Sequence, residues 1–215
     1  MHKIEERFKL FIDYFNKTMP IAETELLYKS PYELIVAVIL SAQCTDKRVN
    51  ITTPIFFKAF PDAVSLSNAP VEEIFAIIKS ISYPNNKAKN LKAMAQLLVE
   101  EFQGVLPSDP ALLQKLPGVG RKTAHVLASV LFNKQVLAVD THVFRVAERI
   151  GLTSSAKNPL DCEKQLTKHF PPDLLVIAHH WLILHGRYVC VARKPKCMEC
   201  GVSSFCRYFE KIRAT

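Results

Sequence analysis

The sequence predicts an all-α protein, and three observations carry that expectation. Only 6 of the 215 residues are glycine, too few for a turn-rich β-fold. Apolar residues recur at three- and four-residue spacing instead of alternating, which is the period of a helix face. Prolines and short polar clusters separate these runs as helix punctuation does. No strand pattern, repeat at solenoid spacing or low-complexity segment competes with this reading. Apolar residues make up 49% of the chain and charged residues 22%, a balance that suits one large globular domain or two modest ones.

Taken in order, Ile4 to Phe15 reads as an amphipathic helix with Phe8, Phe11, Ile12 and Phe15 on one stripe. Pro20 ends it. Pro31 opens a second helix at a position where a missing N–H costs nothing. That helix, Tyr32 to Cys44, is apolar on nearly all sides through Leu40 and is expected at the centre of a core. Asp46 to Phe60 follows, with Pro54 as an expected kink or break. Pro61-Asp62 and Asn68-Ala69-Pro70 punctuate short segments. Val71 to Ile81 looks helical, and Lys87 to Phe102 is clearly amphipathic through Leu91, Met94, Ala95, Leu98 and Phe102. A turn at Pro107-Ser108-Asp109-Pro110 leads into a short helix, Ala111 to Leu116. Beyond the apolar segment Gln135 to Val139, Thr141 to Ile150 reads as a helix closed by Gly151. Glu163 to Phe170 and a buried helix, Asp173 to His185, complete a set of about ten.

Charge and cysteine usage narrow the function. The formal charge is +8 and the isoelectric point about 9.2, which favours a polyanionic partner, nucleic acid above all. The N-terminus is charged and lacks the apolar core of a signal peptide. The longest apolar run, Leu34 to Leu40, is too short to span a membrane. An intracellular, soluble protein is therefore expected. In a reducing compartment six cysteines do not suggest a disulfide framework. Cys44 and Cys162 stand alone, whereas four lie between Cys190 and Cys206.

The stretch LPGVGRKTAHVL, Leu116 to Leu127, joins two short helices through a tight turn. Proline fixes one φ angle, and Gly118 and Gly120 tolerate positive φ or a close backbone approach. The next helix starts near Gly120, with Ala124, Leu127, Ala128 and Leu131 as its buried stripe. Its first N–H groups have no partner within the helix and suit a phosphate of a nucleic-acid backbone, read without regard to sequence. An ordinary helix–helix connection has the same outline. Arg121 suits a phosphate contact. Lys122 lies in the first turn, where a cation works against the helix dipole and the neutral, nucleophilic amine is favoured. Without a partner, a solvated lysine is the simpler reading. A partner stands eighteen residues on: in LAVDTHVFRV, Asp140 sits between an apolar segment and a helix. It suits an N-cap, and a carboxylate near an amine can also take its proton or stabilise a cationic sugar-like transition state.

Cys190, Cys197, Cys200 and Cys206 form the pattern C-x6-C-x2-C-x5-C. Four thiolates so close point to a metal, either tetrahedral zinc or a cubic iron–sulphur cluster. The loop VARKPK between the first two displays Arg193, Lys194 and Lys196, which suit phosphate contacts or a solvated surface.

LPGVGRK, VDTHVFRV and the terminal cysteine pattern, together with LSAQCTD at Leu40 to Asp46 and HHWLILHGRYVC at His179 to Cys190, resemble the endonuclease III family of helix–hairpin–helix DNA glycosylases. The resemblance runs from about residue 20 to the C-terminus. It implies two helical domains flanking a DNA-binding cleft. One is a six-helix barrel, residues 22–133, that carries the hairpin. The other combines residues 1–21 with 134–215 and holds a [4Fe–4S] cluster on Cys190, Cys197, Cys200 and Cys206. It implies a base-excision repair enzyme with DNA glycosylase and AP lyase activity. The enzyme would act as a monomer on double-stranded DNA holding damaged bases, such as oxidised pyrimidines, or abasic sites. Its setting would be cytoplasmic and nucleoid-associated. By resemblance, Lys122 is the catalytic lysine that forms a Schiff base, and Asp140 is the catalytic aspartate. By the same resemblance Gln43 fills the gap left by a flipped nucleotide, while Gly118, Gly120, Arg121, Arg193, Lys194 and Lys196 are expected to meet DNA on the hairpin and loop chemistry given above.

Two departures stand out. The family places a leucine or similar wedge in the loop after the Val71 helix; here that loop reads ISYPNNKA, leaving Tyr83 or Ile81 to serve. His125 stands where the family often has asparagine, suited to phosphate or to packing. The rival readings are a monofunctional adenine-type glycosylase, a non-catalytic helix–hairpin–helix module and a zinc protein. The first usually lacks the lysine and carries a further C-terminal domain. His179, His180 and His185 are expected to pack and hydrogen-bond rather than to ligate.

Overall fold

The computed structural model describes residues 2–214 and is all-helical. It divides into two compact units, residues 1–24 with 133–215, and residues 25–132.

The chain enters through α1 (Ile4–Thr18), then builds the second unit from α2 (Pro31–Ser41), α3 (Asp46–Ala59), α4 (Ala63–Asn68), α5 (Val71–Ile78), α6 (Pro84–Phe102), α7 (Pro110–Leu113) and α8 (Arg121–Phe132). Helix α2 is its hub. Ser30 caps it through its hydroxyl, which accepts from Glu33 N at 3.2 Å, and Pro31 occupies the first turn. Every residue from Leu34 to Leu40 is buried, so this helix is surrounded rather than laid on a surface. It packs against α3, α6 and α8, while α6 also covers α4 and α5. Helix α3 runs on through Pro54, and that proline lies on its exposed side. Helix α4 starts with a capping box between Asp62 and Ser65.

The first unit gathers α1 with α9 (Thr141–Ile150), α10 (Pro159–His169), α11 (Leu175–Tyr188) and α12 (Arg207–Arg213). Phe8, Phe11 and Phe15, the stripe read from the sequence, meet Phe170 and Trp181 in one aromatic cluster. The Trp181 indole N–H donates to Met19 O at 2.8 Å, so the ring's one polar atom is satisfied inside the core. Arg7 is buried too, with Nε donating to Phe205 O at 3.0 Å.

Most expected elements form, and several boundaries move. Helix α2 stops at Ser41 rather than Cys44, because Gln43 adopts left-handed backbone at φ 54°. Helix α6 begins at Pro84, three residues earlier than its apolar stripe suggested. Proline is well placed in a first turn but contributes nothing to periodicity. Helix α12 was not anticipated; its seven residues are too few to show a period.

Candidate functional site

The hairpin forms as a turn between α7 and α8. Val119 N donates to Leu116 O at 3.0 Å, with Pro117 and Gly118 between them and Gly118 at φ +82°. Proline followed by a residue of positive φ is the pattern of a type II turn. A Cβ on Gly118 would also approach the Asn90 side chain at 3.2 Å. The backbone conformation therefore favours glycine here, and the space beside it is tight. Ala124 N donates to Gly120 O at 2.9 Å, which closes the first turn of α8. A Cβ on Gly120 would meet no atom within 4 Å, so the backbone at this helix start is open to an approaching group. Arg121 and Lys122 are exposed on the first turn, while Ala124, His125, Leu127 and Ala128 are buried behind them. His125 is thus buried, with 6% exposure.

In the same unit, Gln43 is exposed in the turn after α2. Tyr83 is 64% exposed, whereas Ile81 is 2% exposed. Of the two wedge candidates, only the tyrosine presents its side chain to solvent. It too has left-handed backbone, at φ 56° and ψ 48°.

In the other unit, Asp140 caps α9. Its Oδ1 accepts from His142 N and Val143 N, both at 2.8 Å, and Oδ2 lies 3.4 Å from His142 Nδ1. The capping role is therefore real, and the carboxylate keeps partial exposure beside it.

The four clustered cysteines line one pocket with Ile150, His185 and Phe209. Burial raises the Cys206 thiol and pushes Cys200 up to about 11, and the neighbouring cysteines add to both effects. Such thiols become thiolates only when a cation takes the place of their protons. Arg149 supplies positive charge from the protein: Nη1 lies 3.6 Å from Cys190 Sγ and donates to Val191 O at 2.8 Å. Its Nη2 donates to Ala192 O at 2.9 Å, and its plane lies over the Tyr208 ring. Arg145, one turn earlier, donates to Cys190 O at 3.1 Å and Gly186 O at 2.8 Å. An all-sulphur donor set with cationic neighbours fits an iron–sulphur cluster. Among the described residues, no three His, Cys, Asp or Glu side chains converge as ligands of a single ion would.

Sequence reasoning missed these two arginines. Their signal was present, since a four-residue spacing on α9 puts both on one face, but their acceptors lie more than forty residues away. The three histidines of α11 do pack: His179 Nδ1 lies 2.8 Å from Ala138 O, burial pushes His180 down to about 4, and His185 meets the Phe15 ring edge-on. Arg193, Lys194 and Lys196 are exposed on the loop between the first two cysteines.

Comparison with known proteins agrees with this chemistry. Residues 36–172 match the family model of the HhH-GPD superfamily base excision DNA repair proteins, and residues 190–206 match the iron–sulphur binding domain of endonuclease III. Endonuclease III of Rickettsia felis is 45% identical over 94% of this chain and 93% of its own. The Escherichia coli K12 enzyme is 43% identical over 90% and 91%. Two solved structures of endonuclease III, a trapped covalent DNA intermediate and a non-covalent DNA complex, align with TM-scores of 0.93 and 0.94 at 39% and 38% identity. They cover 99% and 100% of this chain and 100% of each of those chains. With the hairpin, the capping aspartate and the four-cysteine pocket in place, the chain belongs to the endonuclease III family of bifunctional DNA glycosylase/AP lyases, and its cofactor is a [4Fe–4S] cluster.

Proposed function

We propose that this chain excises oxidised pyrimidines from double-stranded DNA through a Schiff base on Lys122. The observation that carries the reading is the hairpin itself: an exposed lysine in the first turn of a helix whose start is open backbone at Gly120. That backbone suits a phosphate, which would bring the sugar of a flipped nucleotide near the lysine. The Lys122 amine, once free of its proton, attacks C1′ and the damaged base leaves. The sugar ring opens to a Schiff base between Nζ and C1′. Loss of a proton from C2′, acidified by the iminium, to a base then forms the C2′=C3′ double bond and expels the 3′-phosphate, a β-elimination that cuts the strand 3′ to the lesion. Asp140 assists deprotonation of the lysine and stabilises the cationic sugar as the base departs.

Gln43 takes the gap left by the flipped nucleotide, and Tyr83 is the wedge. Its exposure supports that choice over Ile81. Gly118, Gly120 and Arg121 hold the backbone of the damaged strand, and Arg193, Lys194 and Lys196 add contacts from the cysteine loop. Residues 22–133 act as the barrel domain and the remainder as the cluster domain, in an intracellular enzyme working as a monomer. The [4Fe–4S] cluster, on Cys190, Cys197, Cys200 and Cys206, supplies no chemistry to these steps and organises the loop that bears the cations.

The test is borohydride trapping on a duplex carrying one thymine glycol. Reduction converts the Schiff base into a permanent protein–DNA adduct. The wild-type chain is expected to form the adduct and Lys122→Gln to form none while still binding the duplex. An undiminished adduct with Lys122→Gln would assign the nucleophile elsewhere. Base release without any adduct would remove the Schiff base from the mechanism.

A further inference from the structure

Lys87 is 6% exposed, an uncommon position for a lysine. Its ammonium donates to Leu40 O and Ala42 O, both at 2.7 Å. Burial lowers the affinity of this amine for its proton, and Cys44 opposes that effect. Two short carbonyl bonds to the charged form compensate for the lost water. These acceptors mark the end of α2. Cys44 N turns back to Ser41 O at 3.0 Å, so Leu40 O loses the partner that a continued helix would give it. The next residue is Gln43, which is exposed and has left-handed backbone at φ 54°, a conformation unfavourable for a residue other than glycine. The backbone of the same residue belongs to α6. Lys87 N donates to Tyr83 O at 3.2 Å, and Tyr83 is left-handed too. Conformations of this kind persist only where surrounding contacts over-determine them. Here the side chain of one buried residue bonds Ala42 O, immediately before Gln43, while its backbone N–H bonds Tyr83 O.

We propose that Lys87 is a positioning residue for the reaction. Its ammonium staples the start of α6, which presents Tyr83, to the end of α2, which presents Gln43, so that the two side chains meet DNA as one preset unit. This rests on the reading of Gln43 and Tyr83 as the residues that replace and wedge the flipped nucleotide.

The experiment is a double-mutant cycle read by single-turnover base excision and by fluorescence of a 2-aminopurine beside the lesion, which reports extrusion. Rates are normalised to the active fraction found by trapping. Lys87→Met keeps the stem and deletes the donors. It is expected to slow both extrusion and excision roughly tenfold, and Lys87→Arg to recover part of the loss. Lys87→Met combined with Gln43→Ala is expected to be no slower than the slower single variant. A wild-type rate for Lys87→Met, or losses that multiply in the pair, overturns the staple while leaving Gln43 in its role. A wild-type rate for Gln43→Ala overturns the reading of Gln43 on which the staple depends. If Lys87→Met melts below the assay temperature, Lys87→Gln, which keeps one donor group, enters the same cycle with the same expectations.

Discussion

The Asp140 carboxylate accepts two backbone hydrogen bonds through one oxygen and approaches His142 through the other. The proposed mechanism places capping and proton transfer on the same side chain, and substitution separates them. Asparagine caps helices about as well as aspartate, whereas alanine in its place costs about 1 kcal/mol. Asp140→Asn should melt within a few tenths of a kcal/mol of wild type, and Asp140→Ala about 1 kcal/mol lower. Single-turnover excision should fall by at least about a hundredfold in both, because neither accepts a proton from the lysine. Asp140→Asn at full rate would reduce Asp140 to a cap. Arg149 also serves two ends, donating to the cysteine loop while its plane covers Tyr208. A lysine there would keep the charge but lose the fork that spans Val191 O and Ala192 O.

At the scale of elements, the hairpin depends on one backbone angle more than on any side chain. Gly118 at φ +82° lets Val119 return to Leu116 and sets the direction in which α8 starts. Gly118→Ala should cost about 1–2 kcal/mol from backbone conformation, with the 3.2 Å approach to Asn90 adding to it. Urea denaturation measures the first effect. Anisotropy on a duplex with a reduced abasic site measures the second consequence, weaker DNA binding as the α8 start is misaimed. A variant with unchanged stability and binding would show that the turn tolerates a side chain. The same sensitivity to space appears in the cysteine loop, where a Cβ on Gly201 would collide with the Tyr14 ring. Helix α1, far away in sequence, is thereby fitted against the loop that holds the cofactor.

For the whole molecule, charge is the dominant quantity. A formal charge of +8 predicts binding to a polyanion that weakens steeply with salt. For duplex DNA the slope of log affinity against log salt is about −0.9 for each phosphate neutralised. Lys194→Gln and Lys196→Gln should each reduce that slope by about 1 if they meet phosphates. Anisotropy across a salt series reads the slope directly. An unchanged slope would place those lysines outside the interface, as an ordinary solvated surface. Because such contacts carry no sequence information, the same variants should weaken binding equally on undamaged duplexes.

Local pattern by itself determined the all-helical class, the hub helix at Leu34 to Leu40, the glycine-dependent hairpin before Lys122, the cap at Asp140 and the four-cysteine cofactor site. Each of these rests on near neighbours: a helical period, a turn that needs one glycine, a carboxylate before a helix, thiols in close succession. Helix ends were less legible, since α6 starts on a proline outside the apolar stripe and α2 stops where Gln43 turns left-handed. Only the tertiary structure decided that Tyr83 rather than Ile81 faces solvent, that Arg145 and Arg149 hold the cysteine loop, and that Lys87 is internal. In the sequence, Lys87 is one lysine among many in a polar stretch. Its two acceptors lie 47 and 45 residues away, and carbonyl groups are identical at every position of a chain. Which of them a buried amine meets is settled by packing alone.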